Sequence, residues 1–90
     1  MFDAAWLDFT GPITEALLVA LGQFWPRVRK ALWVTSLDAR WSRSVSDRVS
    51  RYDGVPNLLH RTLPGSVMVD VHRYADTVPM VQAYYERRCP

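Results

Sequence analysis

Asp70 and His72 stand two residues apart in SVMVDVHRY, a run whose apolar residues alternate with polar ones. On a strand, that spacing puts both side chains on one face. A carboxylate beside an imidazole can orient it and favour its charged form, an arrangement suited to general-base work. No nucleophile is placed to use it, and the plainer reading is a polar strand face. His60 sits beside Arg61 in a leucine-rich run, with no second ligand-type residue near it, so a pH-responsive or ligand-binding role rests on one side chain. Two histidines, one cysteine and scattered acids make no zinc spacing. Cys89 follows Arg87 and Arg88, whose charge favours the thiolate, yet it lies where chains commonly fray. Gly11, Gly22, Gly54 and Gly65 stand alone and form no phosphate-cradling loop. The expectation is a protein that is not an enzyme and takes no metal or cofactor.

Binding chemistry has more to draw on. ARWSRSVSDRVSRYDG, residues 39–54, holds four arginines and four serines. On a helix, Arg40, Arg43, Arg48 and Arg51 fall within about 140° of one another. Trp41, Val45, Val49 and Tyr52 gather on the adjacent sector. The inner side is then expected to pack, and the outer side to meet an acidic partner. One such partner is the acidic N-terminal third of a second copy. Arginine binds carboxylate and phosphate through a planar fork, so a nucleic acid is the alternative partner. The serines would add neutral contacts, and Trp41 or Tyr52 would stack on bases. A net charge of +2 is small for that role, and no helix-turn-helix, RRM or KH pattern is present.

Charge is unevenly spread. Residues 1–26 carry Asp3, Asp8 and Glu15 with no cation, residues 27–51 carry seven cations against Asp38 and Asp47, and residues 52–90 balance. Aromatic residues are numerous for 90 residues: four Trp, four Tyr and three Phe. Some must fill a core, and the remainder suit an interface that is dry on one side and wet on the other. Trp33, Tyr84 and Tyr85 join the four arginines as expected partner-binding residues.

The elements that would position these groups follow from periodicity. A 49% hydrophobic content excludes a disordered chain, and the length fits a single globular domain over residues 1–90. Phe2, Trp6 and Phe9 recur at helical steps, which predicts a short helix. Thr10 or Gly11 caps the next helix, with Pro12 in its first turn and Ile13, Leu17, Leu21 and Phe24 on its apolar side. Pro26 stops it. Lys30–Leu37 is β-branched and aromatic enough for a strand. A helix near residues 40–53 ends at Gly54. Pro56–Leu63 forms a short helix, and Pro64-Gly65 a turn. Ser66–Tyr74 is the clearest strand, with Val67, Val69 and Val71 on one face; Lys30–Leu37 is its best partner. Asp76 caps a last helix over 77–88, where Arg87 and Arg88 complement the dipole.

These expectations assemble into an α+β fold: a short antiparallel sheet covered by helices near 12–25, 40–53 and 77–88, with an all-α bundle as the alternative. The expected function is a non-enzymatic protein-protein interaction module, an oligomeric accessory or regulatory protein that binds a protein partner or itself. The longest apolar run, Ala16–Leu21, is too short to span a bilayer, and the hydrophobic helix lacks the flanking cations of a membrane-surface helix. A cytoplasmic location is expected, with no membrane partner.

Overall fold

A computed structural model of the chain describes residues 2–9, 11–38, 40–75 and 77–88. The fold is α+β. Its elements run β1 (Phe2–Asp8), α1 (Glu15–Phe24), β2 (Val28–Leu37), α2 (Ser46–Arg51), α3 (Val55–Arg61), β3 (Ser66–Ala75) and β4 (Pro79–Arg87). The sheet is four-stranded and mixed, in the order β1-β2-β4-β3. β1 and β2 are parallel, joined through α1; β2–β4 and β4–β3 are antiparallel. All helices contribute to one hydrophobic layer on one side of the sheet.

Two segments expected to be helical are strands. In β1, Ala5 and Leu7 pack on the core while Ala4, Trp6 and Asp8 point away, a period of two. In β4, Val81, Ala83 and Tyr85 are buried and alternate with half-buried Gln82 and Tyr84. Pairing on both sides satisfies the β4 backbone and overrides its helical propensity. β4 also separates the two strands expected to pair, since β2 and β3 each bond to β4 and not to each other.

β3 is a strand as expected, but its alternation breaks. A bulge between Met68 and Asp70 leaves Val67 and Val69 exposed and turns Met68 and Val71 towards the core. α1 starts later than its sequence suggests. Thr14 is the cap, its hydroxyl accepting from the Leu17 amide at 3.2 Å, and Glu15 sits in the first turn. Ile13 remains extended, fully buried, and bridged to Trp41. That bridge explains why the arginine-rich stretch is helical only from Arg43: Ile13 bonds to the Arg40 carbonyl, and Ser42 bonds back to Ile13. A 3-10 turn over Arg43–Val45 leads into the short α2. Residues 1, 10, 39, 76, 89 and 90 lie outside the described residues, and with them the expected Thr10 and Asp76 caps and Cys89.

The core sits between the sheet and the helical layer. α1 supplies Leu18 and Leu21, the 43–51 segment Val45 and Val49, α3 Val55, Leu58 and Leu59, and the central strands Leu32, Val34, Val81, Ala83 and Tyr85. Trp41 and Tyr52 pack against this cluster from the arginine-rich stretch. Arg87 is not a helix-end cation. It donates to the Val28 carbonyl at 2.9 Å and the Trp25 carbonyl at 2.7 Å, and lies over the Trp25 ring at 4.1 Å. Trp25 in turn donates its indole N–H to the Pro64 carbonyl at 2.8 Å, tying the end of α1 to the turn before β3. Among the described residues no helix is long and apolar enough to cross a membrane.

Candidate functional site

Strand parity decides what the sheet presents. Cross-strand partners share a face, so the register can be read across the sheet. Trp6 pairs with Trp33 and Trp33 with Tyr84; Tyr84 lies opposite Asp70 beyond it. One step along, Asp8, Thr35, Gln82 and His72 form a second row on the same face. Leu37, Met80 and Tyr74 form a third. The helices occupy the other face, and this one is uncovered.

The aromatic groups on it are ordered by contacts with one another. Trp33 and Tyr84 stack with ring centroids 4.4 Å apart and planes inclined by 25°. Trp6 is 65% exposed, yet its indole N–H is held by the Thr35 hydroxyl at 2.9 Å. His72 stacks on Tyr74 at 5.7 Å. Two shallow hollows lie along the rows. One, of about 470 Å³, is lined by Ala4, Ala5, Trp6, Trp33 and Gln82. The other, of about 340 Å³, includes Asp8, Thr35, Leu37, Tyr74 and Met80.

Asp8, Asp70 and Glu86 belong to this face, and its paired rows hold no Lys or Arg. Arg29, two residues before Ala31 on β2, stands at the end of this face and is paired with Asp3 at 3.6 Å. The Tyr84 hydroxyl is held above the ordinary phenol range, by lost hydration first and then by the nearby Glu86 carboxylate. Tyr85, its neighbour in sequence, lies on the opposite face. It is fully buried, its hydroxyl donates to the Pro56 carbonyl at 2.7 Å, and burial pushes its ionisation far above the usual range. The expected trio of Trp33, Tyr84 and Tyr85 is therefore divided: two rings stack on the open face and the third anchors α3 to the sheet.

The four arginines do not form one stripe. Arg48 pairs with Glu15 of the same chain. That contact uses the acidic N-terminal third within one molecule, where a second copy was expected to supply it. Arg40 and Arg43 are exposed before and at the start of the helical turn. Arg51 lines a polar cleft of about 630 Å³ together with Tyr52, Asp53, Asn57, His60 and Arg61. Arg61 lies 5.0 Å above the Tyr52 ring, and His60 bonds to the Ser66 carbonyl at 3.0 Å. These cations stand in the last turns of α2 and α3, where they offset the negative ends of the helix dipoles.

Asp70 and His72 share the open face as strand spacing implied. The Asp70 carboxylate accepts from the Val71 amide at 3.0 Å, and the His72 ring is stacked on Tyr74. Among the described residues no group of three or more His, Cys, Asp or Glu could hold a metal ion. Trp6 is the member of the Trp6–Trp33–Tyr84 row that sequence reasoning missed as a site residue. Its signal was the alternation Ala4-Trp6-Asp8 against Ala5-Leu7, hidden by the four- and three-residue steps of Phe2, Trp6 and Phe9.

The chain matches no family model, no curated protein and no solved structure. Its function rests on its own geometry.

Proposed function

We propose that this protein is a non-enzymatic protein-interaction module, and that the uncovered sheet face is its docking surface. The observation that supports this reading is the aromatic row Trp6–Trp33–Tyr84 on a face bearing three carboxylates and no cation from its paired rows. Large rings held by mutual stacking lose little further freedom on binding, and Trp and Tyr dominate interface hot spots. The acidic groups select the partner. A nucleic acid would bring phosphates against Asp8, Asp70 and Glu86, which costs binding. A second copy docked face to face would oppose the same carboxylates. The occupant that fits is a protein segment with apolar side chains for the hollows and Lys or Arg at their edges.

A displayed random-peptide library tests this. Selection on the wild-type protein should enrich peptides with an aromatic or aliphatic residue flanked by Lys or Arg. Trp33→Asp, verified as folded by circular dichroism, should lose that enrichment. No enrichment, enrichment of acidic peptides, or undiminished binding to the folded Trp33→Asp variant would overturn the reading.

A further inference from the structure

α3 sorts its residues by side. Val55, Leu58 and Leu59 are buried in the core, while Asn57, His60 and Arg61, at steps of three and four, line the polar cleft of about 630 Å³. Arg51 at the end of α2 and Asp53 in the link between the helices line it too, as does Ser66 at the start of β3. Ser66 pairs with Arg87, one step off the rows of the open face, so the cleft lies on the helical side of the sheet. Arg29, Arg48 and Arg73 each pair with a carboxylate; among the described residues Arg51 and Arg61 pair with none. The helix ends do not consume their charge either. The carbonyls of Arg48, Val49 and Ser50 accept from backbone amides of residues 52–54, and those of Leu59 and His60 from Thr62 and Leu63. The Tyr52 ring holds the Arg61 guanidinium in place at 5.0 Å. His60 spends its Nε2 proton on the Ser66 carbonyl at 3.0 Å. The Ser66 hydroxyl, in a residue only 6% exposed, has no partner among the described residues. An interior hydroxyl without a partner is costly, and an acceptor brought into the cleft would relieve it.

We propose that this cleft binds a small phosphate monoester that carries hydroxyl groups. Two guanidiniums, the Asn57 amide and an unsatisfied hydroxyl face one carboxylate, so the recess lacks an anion. A carboxylate ligand is planar and is satisfied by one guanidinium fork. A phosphate monoester presents three oxygens in three directions, which suits donors arriving from two helices and a strand. The volume exceeds what a bare phosphate fills and lies in the range of small-molecule sites. Asp53 selects the remainder of the ligand: an ionised carboxylate only accepts, so the groups beside it must donate, as alcohols do. The rings in the cleft are already engaged, Tyr52 under Arg61 and His60 against Tyr85, so a nucleobase finds none to stack on.

Glucose 6-phosphate, inorganic phosphate and gluconate are the probes, titrated into the full chain in phosphate-free buffer and followed by calorimetry and amide NMR. Glucose 6-phosphate should shift amides within residues 51–66 and bind about fivefold or more tighter than the other two. Arg51→Gln and Arg61→Gln should each weaken it by about tenfold or more. Ser66→Ala should weaken it while leaving the melting temperature of the free protein unchanged or higher, because that hydroxyl has no bond to lose. Asp53 is held at φ 62, which glycine adopts freely, so Asp53→Gly removes the carboxylate without straining the link. That variant should bind glucose 6-phosphate no better than inorganic phosphate. No binding of glucose 6-phosphate at millimolar concentration would overturn the proposal. Equal binding of gluconate, or undiminished binding by a folded variant carrying both Arg51→Gln and Arg61→Gln, would do the same. The aromatic row takes no part in these contacts, so peptide selection on the open face stands or falls separately.

Discussion

Replacing Tyr85 with Phe removes one oxygen from the centre of the molecule. The ring is fully buried between the sheet and α3, and its hydroxyl gives the Pro56 carbonyl a partner at 2.7 Å. Pro56 is itself buried in the first turn of α3, so its carbonyl keeps the helix but loses the hydroxyl without gaining water. Losing one buried hydrogen bond costs about 0.5–1.5 kcal/mol. Taking about 1.5 kcal/mol, the melting temperature of a chain this size should fall by roughly 6–12 °C. Tyr84→Phe next to it removes a hydroxyl from the open face, where water replaces the lost contact. Its effect should stay within about 0.5 kcal/mol.

Alkaline pH gives the same residue a second, sharper signature. Burial favours the neutral phenol, so the folded-state pKa of Tyr85 is raised. Above pH about 10, the unfolded chain has released a proton that the folded chain still holds. Stability contributed by this group is complete below that pH and is lost as pH rises, by up to about 1.4 kcal/mol per pH unit. Tyr85→Phe has no such proton to lose, and Tyr52, Tyr74 and Tyr84 remain in both proteins. The gap of about 1.5 kcal/mol at pH 7 should therefore close near pH 11, where wild type has lost about 1.4 kcal/mol through Tyr85. Urea unfolding of both proteins from pH 7 to 11 measures it. Equal stability at pH 7, or curves that stay parallel above pH 10, would refute the placement of Tyr85 inside the core.

Two smaller perturbations probe local features. Thr14→Ala removes the hydroxyl that caps the Leu17 amide, and should cost about 1 kcal/mol in urea unfolding at pH 7. Ser36 is fully buried on the helical side of β2, and its hydroxyl has no partner among the described residues. Ser36→Ala should accordingly leave stability unchanged or raise it by up to about 1 kcal/mol, read as an increased melting temperature.

The sequence makes some elements plain and conceals others for identifiable reasons. α1, α3, β2 and β3 are visible because their signals do not compete: a long amphipathic repeat, a leucine cluster after Gly54-Val55-Pro56, a β-branched run and a valine alternation. β4 carries two patterns at once. Val81, Tyr84 and Tyr85 fit a helical side, while Val81, Ala83 and Tyr85 fit a strand face, and only pairing with both β2 and β3 selects the second. β1 is too short for periodicity to decide. These two strands hold two of the three rings of the aromatic row, Trp6 and Tyr84, so the row could not be assembled although Trp33 and Tyr84 were named from ring content. Separating Tyr84 from Tyr85 requires knowing that the segment is extended, since adjacent residues oppose each other only on a strand.

The distribution of charge decides which contacts between copies would be favourable. Residues 40–61, which include α2 and α3, hold five arginines against Asp47 and Asp53. The open sheet face holds Asp8, Asp70 and Glu86. The paired rows of the open face are therefore acidic, and the helical layer carries more cations than acids. Two copies meeting face to face would set acid against acid. A face meeting the helical layer of the next copy would be attractive, but that contact is heterologous and does not close, so it leads towards open chains of molecules.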